Sequence, residues 1–244
     1  MDGAGNALAV WREEEDPGSY TVRASRYNVA TGRWDASQAI QSAAGNALFP
    51  QLGVDSAGNA IAVWHQEMDA ESHNVWWNRF TAETGQWGTA RLLQSGSSDA
   101  LSPRIAMGED GSCIAAWYQD GGTDHPYNIW ANRFSISDGN WTGARVITPT
   151  EQAGAYPKVG VDAAGNALAV WISYEERDET FLGSVWSNRY DVSSDAWGTP
   201  VLLKSGTTDA DYATIAMGPD GRAFALWVQD NGSGDYNVRA ARFE

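Results

Sequence analysis

The stretch Asp55-Ser-Ala-Gly-Asn-Ala-Ile-Ala-Val-Trp64 decides the fold, because the chain contains it in near-identical form three times. The other two copies end at Trp11 and Trp171, and looser copies end at Trp117 and Trp227. These five tryptophans are spaced 53, 53, 54 and 56 residues apart. Self-similarity at one such period is the sequence signature of a repeat architecture. The chain is therefore predicted to consist of five copies of one structural unit.

Three further phrases recur with the same period. One is Pro50-Gln-Leu-Gly-Val54, one places an aromatic residue after Arg79, and one, rich in Leu and Val, follows Trp87. Each phrase is short, rich in β-branched and aromatic residues, and bounded by Gly, Asn, Asp or Pro, which is typical of a strand. We name these strands a (the Pro50 phrase), b (the Trp64 phrase), c (the Arg79 phrase) and d (the Leu-rich phrase).

A four-stranded antiparallel meander at this period is typical of a β-propeller blade, and a solenoid is the weaker alternative. We predict an all-β fold in which residues 1–244 form a single domain, a five-repeat β-propeller of four-stranded antiparallel blades. Small residues recur at one position of strand a, which indicates that this strand is innermost, beside a narrow channel. The repeats cover about residues 1–46, 47–99, 100–153, 154–209 and 210–244.

The first and last blades are predicted to be incomplete, because the chain has five b and five c strands but four a and four d strands. Three explanations remain open: the chain is a piece of a larger propeller, another chain completes the blades, or the ring tolerates thin end blades. Open strand edges favour pairing with another chain. Self-association through the open blade edges is therefore a further expectation.

The repeated phrase resembles that of bacterial exported tandem-repeat β-propeller proteins, whose blades read Asp-x-x-Gly-Asn-Ala-x-Ala-Val-Trp and whose function is unassigned. More distantly, the chain is similar to Asp-box and sialidase-type propellers. The resemblance covers the whole chain and implies a propeller fold and an extracellular or periplasmic location. It implies no activity.

Composition narrows the classes of partner. The formal net charge is −15, from 16 basic and 31 acidic side chains. Such a surface repels phosphate backbones, so nucleic acid and anionic membranes are not expected as partners. No apolar run approaches the roughly 20 residues of a membrane helix. The residues after Met1 do not form a secretory signal, although a signal can have been removed.

The acidic residues are concentrated on one predicted face. In an antiparallel meander the b-to-c and d-to-a loops emerge on the same face, which we call the loop face. Binding residues concentrate on loops that a rigid scaffold holds, so this face is the candidate site, and a merely solvated acidic rim is the alternative. The b-to-c loops carry fifteen acidic residues: Glu13, Glu14, Glu15, Asp16, Glu67, Asp69, Glu71, Asp120, Asp124, Glu175, Glu176, Asp178, Glu179, Asp230 and Asp235.

A repeated pattern of aromatic and amide side chains near the start of strand c makes up the candidate binding residues on this face. An aromatic ring beside an amide can stack on a sugar ring while hydrogen-bonding its hydroxyl groups. Ordinary packing at strand ends is the alternative interpretation. The candidate residues are Tyr20, Asn74, Trp76, Tyr127, Asn128, Trp130, Trp186, Tyr236 and Asn237.

Enzymatic interpretations lack parts in the sequence. There is no nucleophile elbow, metalloprotease motif or Gly-rich phosphate loop, and the histidines have no metal-ligand spacing, so no catalytic residue, metal or cofactor is predicted. We predict a non-enzymatic recognition module that binds carbohydrate or a partner protein through the acidic loop face. Two alternatives remain: an assembly subunit that completes its blades with neighbouring chains, and a propeller-type glycoside hydrolase with paired carboxylates.

Overall fold

The structure of the protein is a computed structural model that describes residues 1–42, 44–69, 72–94, 99–121, 127–149, 152–177, 180–204 and 208–244. These residues form five antiparallel sheets. Within them, no helix is long and apolar enough to cross a membrane. The prediction of an all-β propeller with five repeats and incomplete first and last blades is confirmed.

Each sheet is one blade. Blade 1 contains strands β1 (Ala7–Asp16), β2 (Ser19–Asn28), β3 (Arg33–Trp34) and β4 (Gln38–Ala39). Blade 2 contains β5 (Ala47–Val54), β6 (Ala60–Asp69), β7 (Ser72–Thr81), β8 (Gln86–Trp87) and β9 (Arg91–Leu92). Blade 3 contains β10 (Ala100–Met107), β11 (Cys113–Gln119), β12 (Asn128–Ser135), β13 (Asn140–Trp141) and β14 (Arg145–Val146).

Blades 4 and 5 continue the series. Blade 4 contains β15 (Ala155–Val161), β16 (Ala167–Arg177), β17 (Thr180–Asp191), β18 (Ala196–Trp197) and β19 (Val201–Leu202). Blade 5 contains β20 (Ala210–Met217), β21 (Ala223–Asp230) and β22 (Tyr236–Phe243). Strand a is therefore present in blades 2 to 5, and the described part of blade 5 has no strand d.

Strand d differs from the prediction, because it consists of two short strands instead of one. In blade 2, β8 and β9 both pair with β7. Between them, Gly88 O accepts a hydrogen bond from the Asn78 side chain (3.1 Å), and Ala90 N–H donates to Ser42 Oγ in the preceding repeat (3.0 Å). These side-chain hydrogen bonds replace bonds of the strand ladder, so the pairing is interrupted.

The a-to-b turn is closed by its own side chains. The Asp55 carboxylate accepts hydrogen bonds from the main-chain N–H (2.8 Å) and the side-chain amide (2.9 Å) of Asn59. Gly58 has a φ of +87°, which side chains rarely adopt. Asn59 Oδ1 accepts the N–H of Ala82 (3.0 Å), which ties this turn to the end of strand c. The repeated Asp and Asn therefore serve the turns of the blade.

Apolar clusters between neighbouring blades form the core. In the cluster between blades 2 and 3, Trp117 and Trp141 lie against Ile61, Val63 and Val75. We call the surface formed by Ile61, Val63 and Val75, and its equivalent in other blades, the forward face. The opposite surface, which carries the equivalents of Trp117 and Trp141, is the rear face. Forward faces thus pack on rear faces.

The repeated arginines of strand c also join the blades. In three of the five copies the guanidinium lies over an aromatic ring of the next blade, which is an interaction worth about 0.5–1 kcal/mol at exposed sites. The structure therefore gives these residues a packing role between blades. The distances to the ring centroids are 6.0 Å for Arg26 and Phe80, 5.6 Å for Arg79 and Phe134, and 5.7 Å for Arg189 and Phe243.

The forward face of blade 5 and the rear face of blade 1 are bare. Phe224, Leu226 and Val238 occupy the forward-face positions of blade 5 and are 51%, 40% and 72% exposed. Their counterparts in blade 2 are at most 1% exposed. On blade 1, the rear-face residue Trp34 is 53% exposed. The apolar clusters join blades 1 to 5 in chain order, and none of the four joins blade 5 to blade 1.

Strand a lies innermost, and the a strands of neighbouring blades pack on one another around the channel. A Cβ atom on Gly53 would lie 2.8 Å from Met107 Cβ, and one on Gly160 would lie 2.8 Å from Met217 Cβ. Real Cβ atoms essentially never come this close. Crowding at the channel therefore explains the small residues of strand a.

Candidate active site at the channel mouth

In blades 2 to 5, a β-bulge in strand a positions one side chain of the blade at the loop-face end of the channel. The pairing register shifts at this point in β5, β10, β15 and β20. Bulges next to active sites re-aim a side chain. The bulged residues have left-handed φ values, which are uncommon without glycine: Phe49 (52°), Ser102 (49°), Tyr156 (53°) and Tyr212 (55°). Together with the ends of strand b and the starts of strand c, they form what we call the channel mouth.

Aromatic and basic side chains follow one another along the mouth in blades 1 and 2. The Arg12 guanidinium lies 4.9 Å from the ring centroid of Tyr20 and 5.7 Å from that of Phe49. The Phe49 ring is 5.2 Å from the His65 ring, and His65 is 5.2 Å from His73. This arc combines π faces with a cation, which are groups that can hold a sugar or another polar ligand.

Asp99 joins blade 2 to blade 3 at the mouth. Its Oδ1 accepts the main-chain N–H of His73 (2.8 Å) and lies 2.9 Å from His73 Nδ1, while Oδ2 accepts a hydrogen bond from the Tyr127 hydroxyl (3.4 Å). A carboxylate at Nδ1 fixes the proton of a neutral imidazole there and leaves Nε2 as the basic nitrogen. Burial, and then Asp99, raise the pKa of Tyr127, so its hydroxyl keeps its proton. The cluster therefore holds both a base and a proton donor.

His65 is a buried, neutral neighbour of this cluster. Its Nδ1 accepts the N–H of the bulged residue Ser102 (3.1 Å), so the proton of the neutral ring is on Nε2. Burial, with a smaller effect of His73, lowers the pKa of His65 to about 4. The side chain thus holds the bulge of β10 and does not carry charge near neutral pH.

Tyr118 connects this cluster to a cavity between blades 4 and 5. Its ring is 5.2 Å from that of Tyr127 and 5.7 Å from that of Tyr156. Tyr156 lines a cavity of about 390 Å3. Small-ligand pockets typically have volumes of roughly 300–1,000 Å3. The other lining residues are Lys158, Ile172, Tyr174, Asp211, Tyr212, Ala213 and Thr214.

A second tyrosine–carboxylate pair stands in this cavity. The Tyr174 hydroxyl donates a hydrogen bond to Asp211 Oδ1 (3.0 Å), which also accepts the N–H of Tyr212 (2.7 Å). Burial, and then Asp211, raise the pKa of Tyr174 above its ordinary range. The Tyr174 hydroxyl is therefore proton-bearing at neutral pH and can act as a general acid.

Two cations complete the mouth. Lys158 lines the cavity, and Arg104 occupies the equivalent position of the neighbouring strand a, two residues after the bulge. Burial, and then the Arg104 charge, lower the pKa of Lys158. Burial likewise lowers the pKa of Arg104.

The candidate residues taken from the sequence divide into two groups. Tyr20 and Tyr127 lie at the mouth, where they contact Arg12 and Asp99. Asn74 Oδ1 accepts a hydrogen bond from Gln94, and Asn128 Oδ1 accepts one from Thr148 Oγ1 (2.9 Å), so both amides bond to the segment that follows strand d of their own blade. Tyr236 and Asn237 are exposed at the start of β22.

The three candidate tryptophans lie between blades. Trp76, Trp130 and Trp186 are partly buried against three of the apolar clusters. Their Nε1 atoms are enclosed and have no hydrogen-bond partner among the described residues. Strand-end packing, the alternative interpretation, accounts for these rings. Of the acidic loop residues, Glu71, Asp124, Asp178 and Glu179 lie outside the described residues.

Sequence reasoning missed the ionisable pairs of the mouth. His73 and Asp99 are 26 residues apart and belong to different loops, and Tyr174 and Asp211 are 37 residues apart. Arg104 and Lys158 stand inside a phrase that the sequence predicts only as a strand. A comparison of the four copies of strand a could have found them, because the same position holds Gln51 and Thr214 in the other two blades.

Comparison with known proteins gives structural neighbours only. No family model and no curated protein matches the chain. A Hadza microbial sialidase is 13% identical with a TM-score of 0.54, and the match covers 91% of this chain but 52% of that chain. An ulvan lyase of polysaccharide lyase family PL25 is 10% identical, with a TM-score of 0.61 and coverage of 98% and 67%. The α-L-arabinanase of Penicillium chrysogenum, complexed with arabinobiose, is 14% identical, with a TM-score of 0.54 and coverage of 96% and 77%.

These neighbours share the fold of the chain, which spans about half the length of the sialidase. They agree with the distant resemblance to sialidase-type propellers, whereas the finer resemblance to tandem-repeat propellers stays a prediction. The prediction of a non-enzymatic recognition module, and with it the statement that the chain is not an enzyme, is wrong. The finding against it is that solved proteins with this fold include glycosidases and polysaccharide lyases.

Proposed function

We propose that the chain cleaves glycosidic bonds of a polysaccharide at the channel mouth. One observation carries the proposal: the channel mouth holds two side chains that can transfer a proton, and each is hydrogen-bonded to a carboxylate. These pairs are His73 with Asp99 and Tyr174 with Asp211. Cleavage of a glycosidic bond needs an acid that protonates the leaving oxygen. It also needs a base that takes a proton from the attacking water or from the sugar ring. The enzymatic neighbours with this fold support the same class of reaction.

The two pairs suit different roles. Tyr174 holds its proton and donates it toward Asp211, so we assign the Tyr174 hydroxyl as the proton donor. Asp99 orients His73, so we assign His73 as the base. In hydrolysis this base activates water, and in an elimination it removes a proton from the sugar ring. The rings of Tyr156 and Tyr212 stand beside the cavity and can stack on the sugar.

The proposal is tested by incubating the chain with arabinan, galactan, polygalacturonate and a sulfated galactan. New reducing ends without ultraviolet absorbance indicate hydrolysis, and new reducing ends with the absorbance of an unsaturated sugar acid indicate elimination. Removing a general acid or base costs about 10²–10⁴-fold in rate. We expect losses of this size in Y174F and D99N.

A matched control separates chemistry from stability. Tyr190 also donates a hydrogen bond to a carboxylate, Asp195 (2.5 Å), but at the c-to-d turn. Y190F therefore removes the same atom as Y174F and is expected to keep full activity. Absence of cleavage on every polymer, or equal losses in Y174F and Y190F, would contradict the proposal.

We also infer an extracellular or periplasmic location, because the polysaccharides of cell walls and extracellular matrices lie outside the cytoplasm. Cell fractionation with an antibody against the chain tests this inference. The bare faces of blades 5 and 1 support a second proposal: copies of this chain associate head to tail, with the forward face of one blade 5 on the rear face of another blade 1. All four interfaces within the chain join a forward face to a rear face in this way.

A further inference from the structure

Two neighbouring cations at the mouth form no ion pair in the part of the chain that the structure describes. Lys158 lines the cavity between blades 4 and 5, and Arg104 stands at the same position of the adjacent blade. Among the described residues, neither forms an ion pair within 4.0 Å. The Arg104 guanidinium donates one hydrogen bond, to the carbonyl of Pro103 (3.0 Å).

The chain has an excess of carboxylates, 31 acidic side chains against 16 basic ones, yet no described carboxylate lies within 4.0 Å of these two cations. Elsewhere on the same face, Arg23 bonds to both Glu13 (2.8 Å) and Glu15 (2.9 Å). The carboxylates of the mouth are engaged instead with proton donors, Asp99 with His73 and Asp211 with Tyr174. Neither of these carboxylates therefore neutralises Lys158 or Arg104.

Two like charges at a partly buried position are unfavourable without an anion. Burial penalises a charged group, and a like charge nearby adds to the penalty. Both effects act on Lys158, whose charged form is disfavoured by burial and by Arg104. An anionic group placed between the two side chains would relieve the repulsion and make charge-assisted hydrogen bonds to both.

We propose that Lys158 and Arg104 bind an anionic group carried by the sugar, either the carboxylate of a sugar acid or a sulfate ester. The substrate class is then an acidic polysaccharide, and this inference rests on the proposed function for the role of the polymer as a substrate. The geometry agrees, because the cavity that contains Lys158 also contains Tyr174 and Asp211. The anionic group thus lies close to the proton donor.

The overall charge of the chain makes a binding test informative. A net charge of −15 repels a polyanion at long range, so retention of a polyanion reports a local cationic site. Affinity electrophoresis in gels that contain polygalacturonate, a sulfated galactan or neutral arabinan measures this retention directly. We expect retention by at least one anionic polymer and none by arabinan.

Variants locate the binding site. Losing one charge-assisted hydrogen bond corresponds to roughly tenfold weaker binding or more, so K158Q and R104Q should each show a loss of this size. The matched control is R222Q, which removes a charge from the a-to-b turn of blade 5, where Arg222 lies next to Asp220 (3.5 Å). R222Q should be retained as strongly as the unmodified chain. Circular dichroism verifies that all three variants are folded.

The outcomes separate this inference from the proposed function. Equal retention by arabinan, or unchanged retention of both K158Q and R104Q, overturns the inference. Retention by polygalacturonate alone identifies a carboxylate, and retention by the sulfated galactan alone identifies a sulfate. Binding of an anionic polymer by the unmodified chain without its cleavage contradicts the proposed function only. Cleavage of arabinan without retention by either anionic polymer contradicts the inference only.

Discussion

His65 makes the stability of the fold depend on pH. The side chain is buried, and its folded-state pKa is about 4. An unfolded histidine titrates near pH 6.5. Between these two values the unfolded chain binds more protons than the folded one, so stability falls as the pH is lowered through this window. Below about pH 4 both states are protonated, and His65 adds no further loss.

We predict that H65Q removes this component of the pH dependence. The shift corresponds to at most about 3 kcal/mol. Urea unfolding at pH 7 and at pH 4.5 gives the difference in unfolding free energy for each protein. The difference should be smaller in H65Q than in the unmodified chain, whatever the stability of H65Q at pH 7. The same pH dependence in both proteins would show that His65 is not the titrating group.

At the scale of single residues, the sequence predicts turn chemistry better than site chemistry. Asp55 and Asn59 could be assigned to a turn, because their partners lie within four residues. The pairing of His73 with Asp99 could not be predicted, because it depends on how blade 2 is placed against blade 3. Tyr127 was found because an aromatic residue recurs at the start of strand c.

Among the structural elements, the bulge of strand a stores backbone strain. A non-glycine residue in the left-handed region costs roughly 1–2 kcal/mol, and such strain is often retained at functional sites. Tyr212 is 76% exposed, so its ring contributes little packing to the fold. Its conformation is therefore maintained by the surrounding strands.

We predict that Y212G is more stable than Y212A by about 1 kcal/mol. Both variants lose the ring, but only glycine adopts the required φ of 55° without strain. Chemical denaturation measures the difference, and both variants should bind the polysaccharide equally weakly. A Y212G variant that is no more stable than Y212A would show that the bulge is unstrained.

The sequence predicts strands and turns correctly where their conformation depends on neighbouring residues in the repeat. It does not predict the features of a strand that depend on contacts with distant residues. The hairpin between strands a and b follows from its Gly and Asn residues. The bulge runs against expectation, because a residue before proline normally favours an extended conformation, yet Phe49, Ser102 and Tyr156 precede prolines in the left-handed region. The interruption of strand d also depends on a distant partner, the Ser42 hydroxyl of the preceding repeat.

On the scale of the whole molecule, the bare faces predict concentration-dependent association. Head-to-tail contact would bury Phe224, Leu226 and Val238 against the rear face of a second copy. V238E places a charge in this contact and should shift the chain to the monomer in light-scattering measurements. V201E is the matched control, because Val201 is similarly exposed (56%) but lies on the outer strand of blade 4. A monomer at every concentration, or equal effects of both variants, would contradict the prediction.

The bulge of strand a also bears on how such a molecule diversifies. The same backbone conformation presents Phe, Ser or Tyr at one place in successive blades, so the scaffold does not depend on the identity of that side chain. The side chains at positions 49, 102, 156 and 212 can therefore be exchanged without loss of the fold. They differ in the rings and hydroxyl groups that they present to a ligand. A combinatorial library at these four positions should yield mostly folded proteins that differ in the ligands they prefer.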